Sequence, residues 1–212
     1  MLMGCGHKAE VVDSENTDQN HIFQSYIASY DANKDQLQIK AAFFVDNASG
    51  PVLKLTKKAS VAFNSKKMKW NREGYYTLSM TGLPDTFTFV YWNNHKEKFT
   101  NKLTLNKLIV EQEFITLHKD STTNLSCSGL PFDANESVML VVHTEGKEPI
   151  EIETDTHDNT ITIQPEYLIP LNKGKYTGQF VRKNYGSELM STDRGGGWES
   201  EYFTTDKQII IK

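Results

Sequence analysis

Cysteine is scarce in this chain: Cys5 and Cys127 are the two in 212 residues, and they lie far apart, so no disulfide framework holds it and a bridge between them is not expected. Cys127 alternates in phase with Leu125 in Asn124-Leu125-Ser126-Cys127-Ser128 and reads as a small buried apolar residue. No run of about 18 apolar residues exists, so no segment reads as a bilayer-spanning helix. The formal charge of -4 and pI near 5.9 lack the strong basic excess of a dedicated nucleic-acid binder. Segments of helical period and useful length are missing as well.

Recognisable chemistry is also sparse. The six histidines, His7, His21, His95, His118, His143 and His157, form none of the close pairs that mark metal sites. Neither metal nor cofactor is expected. No serine sits in a G-x-S-x-G elbow, and Cys127 is a poor candidate nucleophile if buried. Asp31-Ala32-Asn33-Lys34-Asp35 opens like a calcium loop, but Gln36 stands where such loops need Gly and Ala42 where they need Glu. It reads as a turn.

What the sequence has in quantity is short alternating segments. In Thr86-Phe87-Thr88-Phe89-Val90-Tyr91-Trp92, Phe87, Phe89 and Tyr91 fall on one face of a strand and Thr86, Thr88, Val90 and Trp92 on the other. Ile22 to Tyr30 and Leu37 to Val45 flank the Asx-rich turn as a hairpin. Similar segments recur, with turns every 8 to 12 residues or so, the spacing of an all-β sandwich. Since one sandwich of the immunoglobulin-like kind takes about 100 residues, 212 residues divide naturally into two in tandem.

Charge supports that division. Residues 20 to 106 carry 12 Lys and Arg against 6 Asp and Glu, whereas residues 107 to 212 carry 10 against 17. We therefore expect a tether over residues 1–20, a basic sandwich over 21–107 and an acidic one over 108–212. No Gly/Ser-rich linker separates the two, so their orientation is restricted, with relative motion the default. His7 to Asn20 is polar, carries Glu10, Asp13, Glu15 and Asp18, and has no periodic apolar face, as expected of a disordered tether.

Several clusters invite a functional reading. Glu145, Glu148, Glu151, Glu153, Asp155 and Asp158 could pair as hydrolase carboxylates, yet the alternation of Glu151 and Glu153 against Ile150 and Ile152 puts the acids on a wet strand face. Lys54, Lys57, Lys58, Lys66, Lys67, Lys69 and Arg72 could meet anionic groups, and they also suit edge strands that resist aggregation. Asp193-Arg194-Gly195-Gly196-Gly197-Trp198 is the least ordinary stretch. Its glycines allow close backbone approach and Trp198 offers a stacking face, so Arg194, Gly195, Gly196, Gly197 and Trp198 are the candidate ligand-binding loop. It is not a phosphate loop, because no helix start follows it and no P-loop lysine is present. A mobile connection before the last strands is the other reading of it. Trp70 and Trp92, with Tyr75 and Tyr76, could form a sugar-stacking platform.

Two resemblances add expectations. Leu171-Asn172-Lys173-Gly174-Lys175-Tyr176-Thr177-Gly178-Gln179-Phe180 resembles the corner before the sixth strand of immunoglobulin and fibronectin type III domains. That resemblance implies that the Tyr176 hydroxyl bonds back to upstream backbone, with Phe180 in the core. Met1-Leu2-Met3-Gly4-Cys5-Gly6 resembles the end of a bacterial lipoprotein signal, with Leu2 three before Cys5 and the small Gly4 just before it. By that resemblance Cys5 is lipidated, and Gly6 rather than Asp after it points to the outer membrane. The whole is similar to bacterial lipoproteins with tandem immunoglobulin-like modules. It implies a non-enzymatic envelope protein with a protein or glycan ligand, alongside two alternatives: a carbohydrate-binding module using Trp198 or Trp70 and Trp92, and a hydrolase using residues 145–158.

Overall fold

The structure is a computed structural model that describes residues 10–129, 135–186, 188–192 and 194–212. Its first ten strands are β1 (Val11–Asp13), β2 (Ile22–Asp31), β3 (Gln36–Val45), β4 (Val52–Lys54), β5 (Ser60–Phe63), β6 (Lys66–Lys67), β7 (Lys69–Trp70), β8 (Tyr76–Thr81), β9 (Phe87–Trp92) and β10 (Lys98–Leu103). The second ten are β11 (Leu108–Val110), β12 (Phe114–Leu117), β13 (Thr123–Gly129), β14 (Glu136–His143), β15 (Ile150–Glu153), β16 (Asp155–His157), β17 (Thr160–Ile163), β18 (Gly174–Gly186), β19 (Gly196–Phe203) and β20 (Lys207–Ile211). Among the described residues the only helical pieces are three short 3₁₀ turns, so the chain is all-β. None is long and apolar enough to cross a membrane.

In the first unit, side-chain alternation decides which face is inside. Ile22, Gln24, Tyr26, Ala28 and Tyr30 of β2 are buried, as are Leu37, Ile39, Ala41 and Phe43 of its hairpin partner β3. The other edge of β3 is shared by β8 over Gln36–Ala41 and by β4 at Phe44. The opposing layer runs β10-β9-β5-β6, and Phe87, Phe89 and Tyr91 of β9 turn inward from it. Ring pairs knit the layers: Tyr26 lies 4.4 Å from Phe89 and Phe43 lies 4.6 Å from Tyr91. Each buried aromatic is worth roughly 1.5–3 kcal/mol by area alone, so this cluster is the main apolar support of the first unit.

The second unit has immunoglobulin order. One layer is β11-β13-β17-β16 and the other β12-β20-β18-β14-β15, corresponding to A-B-E-D facing A′-G-F-C-C′. As in such domains, β12 runs parallel to β20, pairing Phe114–Leu117 with Gln208–Ile211. The core lies between the layers, with Leu125, Cys127, Leu140, Ile161, Ile163, Phe180 and Ile209 buried. Cys127 is a free thiol, and burial raises its pKa.

Two expectations need correction. The polar stretch read as a disordered tether is folded from Val11 on: β1 pairs in parallel with β4, matching Val11–Asp13 to Val52–Lys54. Ser14 and Gln19 are buried, because Gln19 Nε2 donates to the Ser14 carbonyl at 2.8 Å and Asn94 donates to Gln19 Oε1 at 2.9 Å and to Ser14 Oγ at 3.0 Å. Polar side chains, which hydropathy cannot flag, do the docking. The second correction is at the glycine-rich stretch. Gly196, Gly197 and Trp198 do not form a loop; they open β19, which lies inside a sheet and is paired on both edges.

That strand changes the relation between the units. β19 pairs antiparallel with β18 on one side, and on the other pairs in parallel with β2 of the first unit over eight residues, Gly196–Phe203 against Gln24–Asp31. The two sandwiches therefore share one continuous layer, β4-β3-β2-β19-β18-β14-β15. At about 0.5–1.5 kcal/mol net per backbone hydrogen bond, such a ladder turns the tandem from two hinged units into one body.

Candidate functional site

The seam between the units is where the sequence-predicted site residues and the buried polar chemistry meet. Parallel neighbours in one sheet need backbones to approach to about 4.8 Å, and at Gly196 the space is too small for a side chain. A Cβ there would stand 2.3 Å from the Gln24 carbonyl oxygen and 2.3 Å from Leu189 Cδ1. Gly195, at φ +121°, sets the turn into the strand; its carbonyl accepts the Gln24 N–H at 3.2 Å and its N–H donates to Thr192 Oγ1 at 3.0 Å. Trp198 packs half-buried against the core, with its ring across Gly186, where a Cβ would meet Nε1 at 1.9 Å. Arg194 is exposed, its Nε 3.9 Å from Asp46 Oδ1. So of the five residues, Gly195 to Trp198 serve the joint and Arg194 alone faces solvent.

Three polar clusters clamp the seam. On the first unit's side, the buried Gln24 Oε1 accepts from Tyr26 Oη at 2.7 Å and from Asn101 Nδ2 at 3.3 Å. Asn101 also exchanges hydrogen bonds of 2.9 Å with the backbone of Ser191, fixing the segment that leads into β19. On the second unit's side, Arg182 and Glu136 form an ion pair with side chains 1% and 0% exposed. Glu136 further accepts from Asn106 at 2.6 Å and Asn184 at 3.2 Å, and Arg182 Nη1 donates to the Lys107 carbonyl at 3.0 Å. Between them, Ser200 Oγ of β19 donates to the Thr104 carbonyl at 2.7 Å. The connecting residues 104–107 are thus held from both sides, and the two buried charges are compensated by each other and by these hydrogen bonds. These groups were missed in sequence. The signal was present: Gln24, Asn101, Glu136 and Arg182 each stand in phase with buried apolar residues on their strands.

The remaining candidates are dispersed. Trp70 packs tilted against Tyr76, with ring centroids 5.1 Å apart, whereas Trp92 ends β9 in the opposite layer, so the two form no common platform. Tyr75 is engaged by Lys40, whose Nζ sits 5.1 Å above its ring. Glu151 and Glu153 are exposed on β15 with Ile152 buried between them. Glu145, Glu148, Asp155 and Asp158 are exposed too. No cluster of three His, Cys, Asp or Glu side chains suited to a metal ion occurs among the described residues. Cys5 lies outside the described residues.

Tyr176 marks a second region. Its hydroxyl donates to the Asn172 carbonyl at 3.0 Å and Phe180 is fully buried, which is the corner geometry of immunoglobulin-like domains. Beside it, the ends of β14, β18 and β20 at the far end of the second unit line an open cleft of about 520 Å³, with His143, Glu145, Lys175, Tyr176 and Gln208 on its walls. Chain direction places this cleft opposite the start of β1. Val11 is level with Val52, Phe44 and Phe23 at one end of the shared sheet, whereas β18 runs from Gly186 at that end to Gly174 at the other. Its 13 residues span roughly 40 Å.

No protein-family model matches this sequence, and no curated protein matches it. Among solved structures it is similar to the I-band fragment I67-I69 from titin, at 12% identity and a TM-score of 0.24, over 90% of this chain and 63% of that one. It is also similar to a chimeric titin Z1Z2 carrying an exogenous peptide from decorin, at 9% identity and a TM-score of 0.22, over 87% of this chain and 93% of that one. The chain spans about 63% of the titin I-band fragment's length. The fold rests on the strand pairing itself: an all-β protein of two sandwiches, the second in immunoglobulin order.

Proposed function

We propose that this chain is a non-enzymatic, lipid-anchored protein of the bacterial outer membrane that holds two fused immunoglobulin-like sandwiches, residues 11–107 and 108–212, as a rigid presenter of its distal end to a protein partner. The observation that carries this reading is the placement of chain entry and distal cleft at opposite ends of one welded sheet. Cys5 precedes the first described residue, Glu10, by five positions, which reach at most about 18 Å. Attachment at Cys5 would therefore keep the β1 end close to the bilayer and direct the cleft at His143, Glu145 and Tyr176 outward. A rigid body suits this task because no binding free energy is lost in ordering two hinged units.

Two measurements test it together. Cells expressing the full-length gene take up a palmitate analogue into the wild-type chain and not into Cys5→Ala. Photo-crosslinkers placed at Lys175 capture one discrete partner that a crosslinker at Lys66, in the first unit, does not. An unlabelled wild-type chain ends the anchoring half of the proposal, and equal capture from both positions ends the presentation half.

A further inference from the structure

We infer that the outer face of the seam is a binding site for a short, neutral saccharide. Four adjacent strands, β3, β2, β19 and β18, contribute to a cleft of about 290 Å³, drawing on both units. Its lining is Gln36 and Gln38 from β3, Ser29 and Asp31 from β2, Phe203 from β19 and Gln179 from β18, with Lys34 at the rim. Strand alternation places all six strand residues on the face opposite the buried Tyr30, Leu37, Phe180 and Tyr202.

The chemistry of this lining differs from that of the clamps beneath it. In the clamps the polar groups are spent on one another. Here, among the described residues, the amides of Gln36 and Gln38, the Ser29 hydroxyl and the Gln179 Oε1 enter no hydrogen bond within the protein, while Gln179 Nε2 is fixed on the Thr204 carbonyl at 3.0 Å. A carboxamide offers a donor and an acceptor side by side, which matches a pair of neighbouring hydroxyls, and Phe203 supplies an apolar surface for ring C–H groups. Charge is balanced: Asp31 and Lys34 pair at 2.7 Å, and no further cation lines the cleft. Phosphate or sulfate would find one lysine already engaged, whereas a neutral polyol meets donors and acceptors in equal supply. The volume lies just under the usual range of small-molecule sites, which suits a short saccharide bound against an open face rather than a larger ligand. Placement on strands fixes the geometry more firmly than loops would.

This site is distinct from the distal cleft and from Cys5, so it stands or falls separately from the proposed function. Because both units line it, an occupied site favours the joined state, and a saccharide that binds there raises the unfolding midpoint. The test is titration of the ¹⁵N-labelled full chain with cellobiose, maltose, lactose and chitobiose, each to about 20 mM, with inorganic phosphate as a fifth probe. At least one disaccharide is expected to shift the side-chain amide signals of Gln36, Gln38 and Gln179 saturably. Its affinity is expected to fall roughly tenfold or more in a Gln36→Ala, Gln38→Ala double variant whose remaining spectrum is unchanged. Absence of shifts at these amides with all four disaccharides overturns the inference. So does binding that survives the double variant, binding that centres on Trp70 or Trp198, or a stronger response to phosphate than to any sugar.

Discussion

Replacing Arg182 by methionine removes the guanidinium but keeps most of the apolar stem. Glu136, whose side chain is 0% exposed, then holds a carboxylate in the interior with the amides of Asn106 and Asn184 as hydrogen-bond donors. Breaking a buried pair from one side costs about 3–5 kcal/mol, a large share of the roughly 5–15 kcal/mol that stabilises a typical domain. For a chain of this size that lowers the thermal midpoint by roughly 10 °C. Replacing both partners, Arg182→Met with Glu136→Leu, removes both buried charges and is expected to recover most of the loss. Urea unfolding of the wild type, both single variants and the double variant gives the coupling free energy directly. Because Arg182 also holds the Lys107 carbonyl, the single variant should be cut by protease near residues 104–107 before the rest of the chain. A loss under about 1 kcal/mol in Arg182→Met, or a double variant no better than the single one, would refute the idea that this pair locks the connection.

Two further outcomes follow from the same geometry. Gly196→Ala puts a methyl group against the Gln24 carbonyl and should cost about 1–3 kcal/mol by overpacking, measured by chemical unfolding; a neutral result would mean that β19 and β2 are not so closely apposed. The Tyr30 hydroxyl, bonded to Asp35 at 2.6 Å, has its pKa pushed up to about 12 first by that hydrogen bond and then by burial. Burial does the same for Tyr76, also to about 12. Since the folded state holds these protons more tightly than the unfolded chain, whose tyrosines ionise near 10, stability falls as pH rises from about 10 through 12. Ultraviolet titration should show these tyrosines ionising together with loss of structure, and Tyr30→Phe should flatten part of that dependence; ionisation near 10 in the native fold contradicts the burial argument.

Much of the fold was legible because a strand has a period of two. Phe87, Phe89 and Tyr91, the hairpin about Asp31–Asp35, and Tyr176 with Phe180 were all placed by alternation or by a short motif, and each sits where those rules put it. The seam was not legible for a different reason. Nothing local announces that residues 196–203 pair with residues 24–31, some 170 positions away. Glycine is disfavoured in strands, so Gly195-Gly196-Gly197 read as a loop, although one glycine is there because two backbones approach too closely for a side chain. The missed clamps are more instructive. Glu136 and Arg182 stood in phase with Val138 and Phe180, and a charged residue on the apolar phase of a strand signals a buried partner; hydropathy alone passes over it.

The β19–β2 ladder joins the two sandwiches into one body. Native-state hydrogen exchange, read residue by residue, tests it most directly. Both edges of β2 and of β19 are paired, so the amides of Gln24–Asp31 and Gly196–Phe203 that bond across the seam should open only with global unfolding, at the free energy of Leu140 or Ile39 in the cores. Exchange of those seam amides several kcal/mol more easily than the cores would show two hinged units instead of one body.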